Sequence, residues 1–403
     1  MRTRSRYLVF GAPRIEQAEI DEVVATLRSG WLGTGPKTAE FERRFAAYVG
    51  AQCAVAVSSC TAALHLSLLA IKAAPGVAVI TSPLTFAATA NAIIHTGAQP
   101  LFVDVDRDTM NISPAGLRAF LERECDRDPR SGRARHRASG AEIAALVPVH
   151  FAGRPCDMDA IAAIARDYRL AVVEDAAHAI ESRYHGRKIG SLSTTTCFSF
   201  YVTKNITTAE GGMVTTDDRE LADRLKVAAL HGLSRDAWTR YSDAGFKHYR
   251  VVYPGYKYNM TDIQASLGLH QLARIDEYHR RRTAIWEMYD RAFADLPLTL
   301  PAPPAPDTTH ARHLYTVLVD QQAAGMTRDE FQQRLHERKI GSGIHFVSLH
   351  LHDFYRDTFG FQADDFPQAA FISARTISLP LSAGLTDEDV ADVIAAVRDI
   401  LGA

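Results

Sequence analysis

The 403-residue sequence has no cysteine pattern, no long apolar run and no excess of charge of either sign. Its five cysteines, Cys53, Cys60, Cys125, Cys156 and Cys197, are odd in number, scattered, and form no C-x-x-C pair. That excludes a disulfide frame or a cysteine-built zinc site, and it predicts reduced thiols in a cytoplasmic protein with no bound metal. No uninterrupted apolar stretch approaches the ~20 residues needed to cross a bilayer. The first six residues carry the positive charge of a signal peptide, but the apolar segment that follows, Tyr7-Leu-Val-Phe, is too short to serve as one. A formal net charge of −2 gives no electrostatic reason to expect nucleic acid or an anionic membrane as a partner. Internal repeats are absent as well.

What is present is a globular composition, 47% apolar and 23% charged, in a chain too long for one ordinary core. Apolar strand-like runs alternate with helix-period segments. Cys53-Ala-Val-Ala-Val leads into Thr61-Ala-Ala-Leu-His-Leu, and Val77-Ala-Val-Ile precedes Phe86-Ala-Ala-Thr-Ala-Asn. Pro100-Leu-Phe-Val-Asp, Ile143-Ala-Ala-Leu-Val and Leu170-Ala-Val-Val-Glu-Asp continue the series. Strands without polar alternation, spaced by helices, predict an α/β fold with a mostly parallel sheet covered on both faces. Two stretches break the pattern. Residues 122–140 are rich in Arg and Asp and read as a solvated surface loop. A long helix over about 260–293 and a Pro-rich connector over 296–306 lead into a second, smaller α+β domain.

Ligands of such sheets sit at the carboxyl ends of the strands, and the run from Leu170 places Asp175 there. Downstream, Ser199-Phe-Tyr-Val-Thr-Lys204 brings a serine and then a lysine to a second strand end, followed by Gly211-Gly212. A lysine and an aspartate so placed are what pyridoxal phosphate chemistry uses. The lysine bonds the cofactor aldehyde, and the aspartate pairs with the protonated ring nitrogen. Each residue also has an ordinary reading. Lys204 alone is a surface lysine, and Asp175 alone caps the segment after it. Ser58-Ser-Cys-Thr61 opens a helix whose N–H groups and Thr61 hydroxyl suit a phosphate, or is merely an N-cap. Phe86 reads as a core aromatic or as one face of a ring slot, with the small Ala177 on the other face. His178 suits a hydrogen bond to a ring hydroxyl or is structural. Asn259 suits a helix cap, and His345 a loop.

Taken together, Gly30-Trp-Leu-Gly-Thr34-Gly-Pro, Ser59-Cys-Thr-Ala-Ala-Leu-His, Val173-Glu-Asp-Ala-Ala-His178, residues 199–212 and Gly255-Tyr-Lys-Tyr-Asn-Met-Thr-Asp262 resemble the DegT/DnrJ/EryC1/StrS family of pyridoxal phosphate-dependent sugar aminotransferases. The resemblance runs in order along nearly the whole chain. It implies an aspartate aminotransferase-type fold, with a large cofactor-binding domain over residues 1–256 and a small C-terminal domain over 257–403. It makes Lys204 the catalytic lysine, Asp175 the partner of the ring nitrogen, and His178 a neighbour of the ring hydroxyl. Thr61, Ser199 and the backbone of Cys60 match phosphate contacts, and Phe86 matches the stacking aromatic. Asn259 matches a residue that reaches the other subunit's cofactor, implying a homodimer with shared sites. Thr34, Tyr256, Lys257 and His345 fall on the substrate side. The segments His231–Trp238 and Gly341–Phe346 are most similar to enzymes that aminate C4 of nucleotide-linked 4-keto sugars, with L-glutamate as the expected donor.

Rival readings are a C3-sugar or cyclitol aminotransferase, a sugar dehydratase and a non-catalytic cofactor-binding regulator. Dehydratases of this resemblance carry His where this chain has Lys204, and the intact Lys204, Asp175 and Ser199 set argues against a regulator.

Overall fold

The computed structural model describes residues 4–129, 131–234 and 250–402. The strands are, in order, β1 (Cys53–Val57), β2 (Val77–Thr81), β3 (Gln99–Phe102), β4 (Cys125–Arg127), β5 (Ala134–His136), β6 (Glu142–Leu146), β7 (Ala171–Asp175), β8 (Arg183–Tyr184), β9 (Arg187–Lys188), β10 (Thr195–Ser199) and β11 (Gly212–Thr216). The long apolar runs among them assemble in the order β1-β11-β10-β7-β6-β2-β3. From β3 to β10 the neighbours are parallel; β11 and β1 close the sheet antiparallel. Strands buried on both faces need helices on both faces. The sequence supplies them as α1 (Gln17–Ser29), α2 (Pro36–Val49), α3 (Cys60–Ala70), α4 (Ala87–His95), α5 (Pro114–Glu124), α6 (Met158–Tyr168) and α7 (Arg219–Ala229). Helix α3 is apolar all round and correspondingly buried along most of its length.

Residues 122–140 are not the solvated loop that their charge suggests. They contain a hairpin, β4 against β5, that pairs through Arg135 with Glu142 of β6 and so extends the sheet. Cys125 and Ala134 are buried and anchor it, while Arg137 pairs with Asp126 at 2.8 Å and Arg133 with Glu142. Two of the arginines are thus paired, one within the hairpin and one with β6, while Arg127 and Arg135 donate to backbone carbonyls.

The expected long helix is divided at Arg274 into α8 (Asp262–Ala273) and α9 (Ile275–Phe293). Its cap is Thr261, not Asn259: the Thr261 hydroxyl and Gln264 form a capping box. Helix α8 packs into the first core through Ala265, Leu269 and Leu272. Helix α9 buries Ile275, Tyr278, Arg282, Ile285, Trp286, Tyr289 and Phe293, at three- and four-residue spacings, so it passes from the first core to a second. The connector is not purely Pro-rich coil. It holds β12 (Leu298–Thr299), and just beyond it β13 (Thr308–Thr309) pairs with β8. The second core gathers α9, β14 (Tyr315–Val319), β15 (Thr376–Leu379) and the helix Asp387–Ile400, with β12-β14-β15 as its sheet. Leu8 from the N-terminal end joins this core, and Arg4 pairs with Asp389 and Asp392 at 2.6 Å. Among the described residues, no helix is long and apolar enough to cross a membrane.

Candidate active site

Strand β7 ends at Asp175, and β10 runs beside it in parallel with Cys197 opposite Asp175. Two residues further, β10 ends at Ser199, which pairs directly with Gly212 at the start of β11. The chain between them turns back on itself, with the Lys204 N–H donating to the Tyr201 carbonyl at 2.9 Å. Three carboxyl- or amino-terminal strand ends therefore meet at one edge of the sheet, as the topology of parallel sheets requires of a ligand site.

The first turn of α3 faces the same edge. Its cap, Ser59, accepts from the Ala62 N–H at 3.1 Å, which leaves the N–H groups of Cys60 and Thr61 at the helix's positive end without intrahelical partners. Gly212 is what allows this approach. A Cβ there would lie 2.4 Å from the carbonyl carbon of Ser59 and 2.6 Å from the nitrogen of Cys60.

A cavity of about 570 Å³ opens over these strand ends. It is lined by Cys60, Thr61, Phe86, Asp175, His178, Ser199, Lys204 and His345, all singled out from sequence. Ala177 lines it too. Phe86 is 65% exposed although it is large and apolar, as expected of a ring that stacks on a bound group. His178 lies not on a helix but in a turn closed by Ala179 N–H to the Ala176 carbonyl, after which the chain enters β8. Thr34, Tyr256, Lys257 and Asn259 do not line this cavity. They form their own group: Asn259 Nδ2 donates to the Thr34 hydroxyl at 2.7 Å, Lys257 donates to Asn259 Oδ1, and Tyr256 stacks on Tyr258. Of the segment His231–Trp238, residues 235–238 lie outside the described residues.

Four of the titratable groups lining the cavity, Asp175, Lys204, His178 and His345, are displaced from their ordinary values. Burial pushes the Asp175 carboxyl up, and hydrogen bonds from the Thr89 hydroxyl to Oδ2 (2.7 Å) and the Ala177 N–H to Oδ1 (3.1 Å) oppose that rise together with the Lys204 charge. Burial pushes the Lys204 amine down to about 8, while Cys60 and Asp175 hold it up. The imidazoles of His178 and His345 are held neutral, His345 with its value pushed down to about 3, first by burial and then by the Lys204 charge. His178 Nδ1 accepts the Ala152 N–H at 3.2 Å, so its proton sits on Nε2. His345 Nδ1 shares a hydrogen bond with the Ser378 hydroxyl at 2.9 Å.

Several residues at the site carry no signal in the sequence. Thr89 lies one helical turn from Phe86, but nothing marks its hydroxyl for Asp175. Phe346, whose ring centroid is 6.1 Å from both Phe86 and His178, completes an aromatic wall. Asn205, the residue after Lys204, bonds His313 from a position far away in the chain.

The arrangement fits pyridoxal phosphate on its own terms. The open first turn of α3 and Ser199 suit the phosphate, the buried Asp175 carboxyl lines the cavity, the exposed Phe86 and the small Ala177 line it too, and a lysine reaches the same space. The comparisons with known proteins agree. The spore coat polysaccharide biosynthesis protein SpsC of Bacillus subtilis is 50% identical over 399 residues, covering 99% of this chain and 98% of SpsC. Spr1654 of Streptococcus pneumoniae, solved in its PLP form, superposes with a TM-score of 0.86 at 34% identity, covering 98% of each chain. PseC of Helicobacter pylori, an aminotransferase involved in the biosynthesis of pseudoaminic acid, gives a TM-score of 0.86 at 26% identity over 98% of this chain and 99% of PseC. With residues 13–398 matching that family as well, the chain belongs to the DegT/DnrJ/EryC1/StrS aminotransferases, the pyridoxal phosphate-dependent enzymes of sugar amination, and has their type I fold.

Proposed function

We propose that this protein transfers an amino group from L-glutamate to C4 of a nucleotide-linked 4-keto sugar, working in the cytoplasm as a homodimer. The observation that carries the reading is Lys204: a partly buried amine with its value pushed down to about 8, opening into a cavity that also holds Asp175, Phe86 and the first turn of α3. Bound pyridoxal phosphate supplies an aldehyde that takes up amines and a ring that withdraws electrons from the adjacent carbon. The protein's own residues do the rest. Asp175 pairs with the ring nitrogen and keeps it protonated. His178 donates from Nε2 to the ring hydroxyl, and Phe86 covers one ring face. Thr61, Ser199 and the backbone of Cys60 hold the phosphate. Lys204, once released, takes the proton from the donor's α-carbon and returns it on the far side of the transfer, a task commonly worth about 10²–10⁴-fold in rate. An amine near 8 carries a usable fraction of its free base at neutral pH, which an ordinary lysine does not.

Support for a sugar acceptor comes from SpsC and PseC, both named for the biosynthesis of sugar-derived products. Likeness of the Gly341–Phe346 and His231–Trp238 segments to C4 enzymes favours that carbon, with His345 contributing an imidazole to the cavity wall. Thr34, Tyr256, Lys257 and Asn259, standing apart from their own cavity, suit a site completed by a second copy of the chain. Asn259 then reaches that copy's phosphate, and Thr34, Tyr256 and Lys257 approach its substrate. Helix α1 gives that copy a surface, since Ile20, Val24 and Leu27 are exposed at helical spacing. The test is incubation with glutamate and a panel of UDP-, dTDP- and GDP-linked 4-keto sugars, with products resolved by mass and NMR and Lys204→Ala as the control. A 4-amino sugar formed by the parent and not by the variant is the expected result. Turnover retained in Lys204→Ala would refute the assignment of that lysine, and amination at C3 or of a cyclitol would move the acceptor.

A further inference from the structure

Thr85 precedes Phe86, and Thr89 follows it in the first turn of α4. Both threonines line the cavity, yet they are only 2% and 1% exposed. A helical threonine ordinarily turns its hydroxyl back to the carbonyl four residues earlier. Thr89 instead donates to Asp175 Oδ2 at 2.7 Å, and the hydroxyl of Thr85, four residues earlier, lies 2.8 Å from its own. A hydroxyl has one proton to give. With the Thr89 proton committed to the carboxylate, Thr85 is the donor in the second bond. Two buried hydroxyls are thus polarised in one direction, from Thr85 through Thr89 to Asp175, and bonds in such a chain strengthen one another.

The other oxygen of the carboxylate takes the Ala177 N–H at 3.1 Å. Among the described residues, Thr89 and Ala177 are the donors that the carboxylate has. The titratable groups around Asp175 meet it in other ways. The His150 N–H donates to its backbone carbonyl at 3.1 Å, Cys197 stands opposite it on β10, and Lys204 and Cys60 share the cavity wall. Asp175 is 5% exposed, so water does little for its charge. A carboxylate in that position needs hydrogen-bond donors to stay ionised; without them it takes up a proton and cannot pair with a protonated ring nitrogen.

We propose that Thr89, backed by Thr85, is a positioning residue for Asp175, holding its buried carboxylate ionised and fixed in orientation to pair with the cofactor's ring nitrogen. This rests on the pairing of Asp175 with that nitrogen, and the experiment separates the two. Full-length protein freed of cofactor is titrated by calorimetry with pyridoxal phosphate and with 1-deazapyridoxal phosphate. The second compound keeps the aldehyde and the phosphate but carries C–H in place of the ring nitrogen. The parent should bind pyridoxal phosphate the more tightly of the two; equal affinities would refute the Asp175 pairing and the proposal with it. Thr89→Val keeps the side-chain shape and removes the hydroxyl. It should weaken pyridoxal phosphate at least about tenfold, the value of one hydrogen bond to a charged group, and the deaza compound by no more than about threefold. Thr89→Ser returns the hydroxyl and should restore the parent's preference. Thr85→Val, one bond further out, should reduce the preference by a smaller factor and decides the matter where Thr89→Val does not fold. Equal losses of both ligands in the valine variants, or a serine variant indistinguishable from Thr89→Val, would show a packing role and overturn the proposal. No turnover is measured, so the result stands apart from the substrate panel.

Discussion

His178 and His313 are held by opposite ends of one residue: the Ala152 N–H donates to His178 Nδ1 at 3.2 Å, and the Ala152 carbonyl accepts the His313 backbone N–H at 3.1 Å. Gly153 beside it has φ +93°, and a Cβ there would lie 2.7 Å from the His178 carbonyl, so the two segments close on each other with no side chain between them. Protonating His178 at Nδ1 means expelling a backbone N–H.

That geometry has a measurable consequence in acid. The folded-state values of His178 and His313 lie well below the ordinary 6.5, and that of His345 is about 3, with burial the main cause in each. Below pH 6.5 the unfolded chain binds protons that the folded chain refuses, so stability falls as pH drops through 6.5 towards the folded values. For His345 the window runs from 6.5 down to about 3. In urea unfolding of the cofactor-free protein, His345→Gln should flatten this fall by up to about 1.4 kcal/mol per pH unit, the value of one proton. Parallel slopes for parent and variant would show that His345 is protonated in the fold.

Lys204 acts in the opposite pH range. Its folded value of about 8 lies below the unfolded 10.5, so between these limits the unfolded state holds the extra proton and stability rises with pH. Below pH 8 the burial cost is fully present. Lys204→Met should therefore stabilise the cofactor-free protein at pH 7, by on the order of 3 kcal/mol, while abolishing turnover. The gain should shrink as pH climbs towards 10. A variant less stable than the parent at pH 7 would contradict the buried-ammonium account.

The sequence made the strand ends legible because each rests on local chemistry. Apolar runs of strand length end at Asp175 and Ser199, and Ser59 followed by a helix-period segment marks the α3 turn. What stayed hidden depends on groups that meet only after folding. The order of strands brings β10 beside β7, so Ser199 and Asp175 become neighbours although 24 positions separate the two numbers. Thr89 meets Asp175 across the sheet edge, and His313 meets Asn205 from 108 positions away. No period or spacing reports such contacts. The arginine-rich stretch misleads for a related reason: composition records the charges of residues 122–140 but not that Asp126 and Glu142 stand beside Arg137 and Arg133.

Gly212 offers a test of the phosphate cup. In Gly212→Ala the new methyl carbon would meet the carbonyl carbon, oxygen and following nitrogen of the Ser59–Cys60 peptide at 2.4, 2.5 and 2.6 Å. These are backbone atoms and cannot rotate aside, so the first turn of α3 must move, at a cost of about 1–3 kcal/mol in stability. The displaced atoms include a helix N–H assigned to phosphate. Pyridoxal phosphate affinity should therefore drop more than that of phosphate-free pyridoxal, with both titrated by absorbance. An equal drop for the two ligands would place the phosphate elsewhere.

The homodimer is tested by mixing defects. On α1, Ile20, Val24 and Leu27 are 48%, 36% and 52% exposed, a stripe that one chain alone leaves in water. Val24→Glu should convert a dimer to monomers in sedimentation and remove activity with it, although α1 contributes no residue to the cavity of its own chain. Complementation goes further. Lys204→Ala lacks the lysine but keeps Lys257 and Asn259; Asn259→Ala keeps the lysine but lacks the reach to the other copy. If each site draws on both chains, coexpressing the two inactive variants yields hybrids in which one site has both groups intact and the other has neither. Random pairing of the two chains then restores roughly a quarter of the parent's site count, by the symmetry of a two-fold assembly. Transfer from glutamate to the bound cofactor, followed by its absorbance, reports this without the sugar. Mixed dimers that stay inactive would mean that Asn259 serves its own chain, which its place outside the cavity argues against.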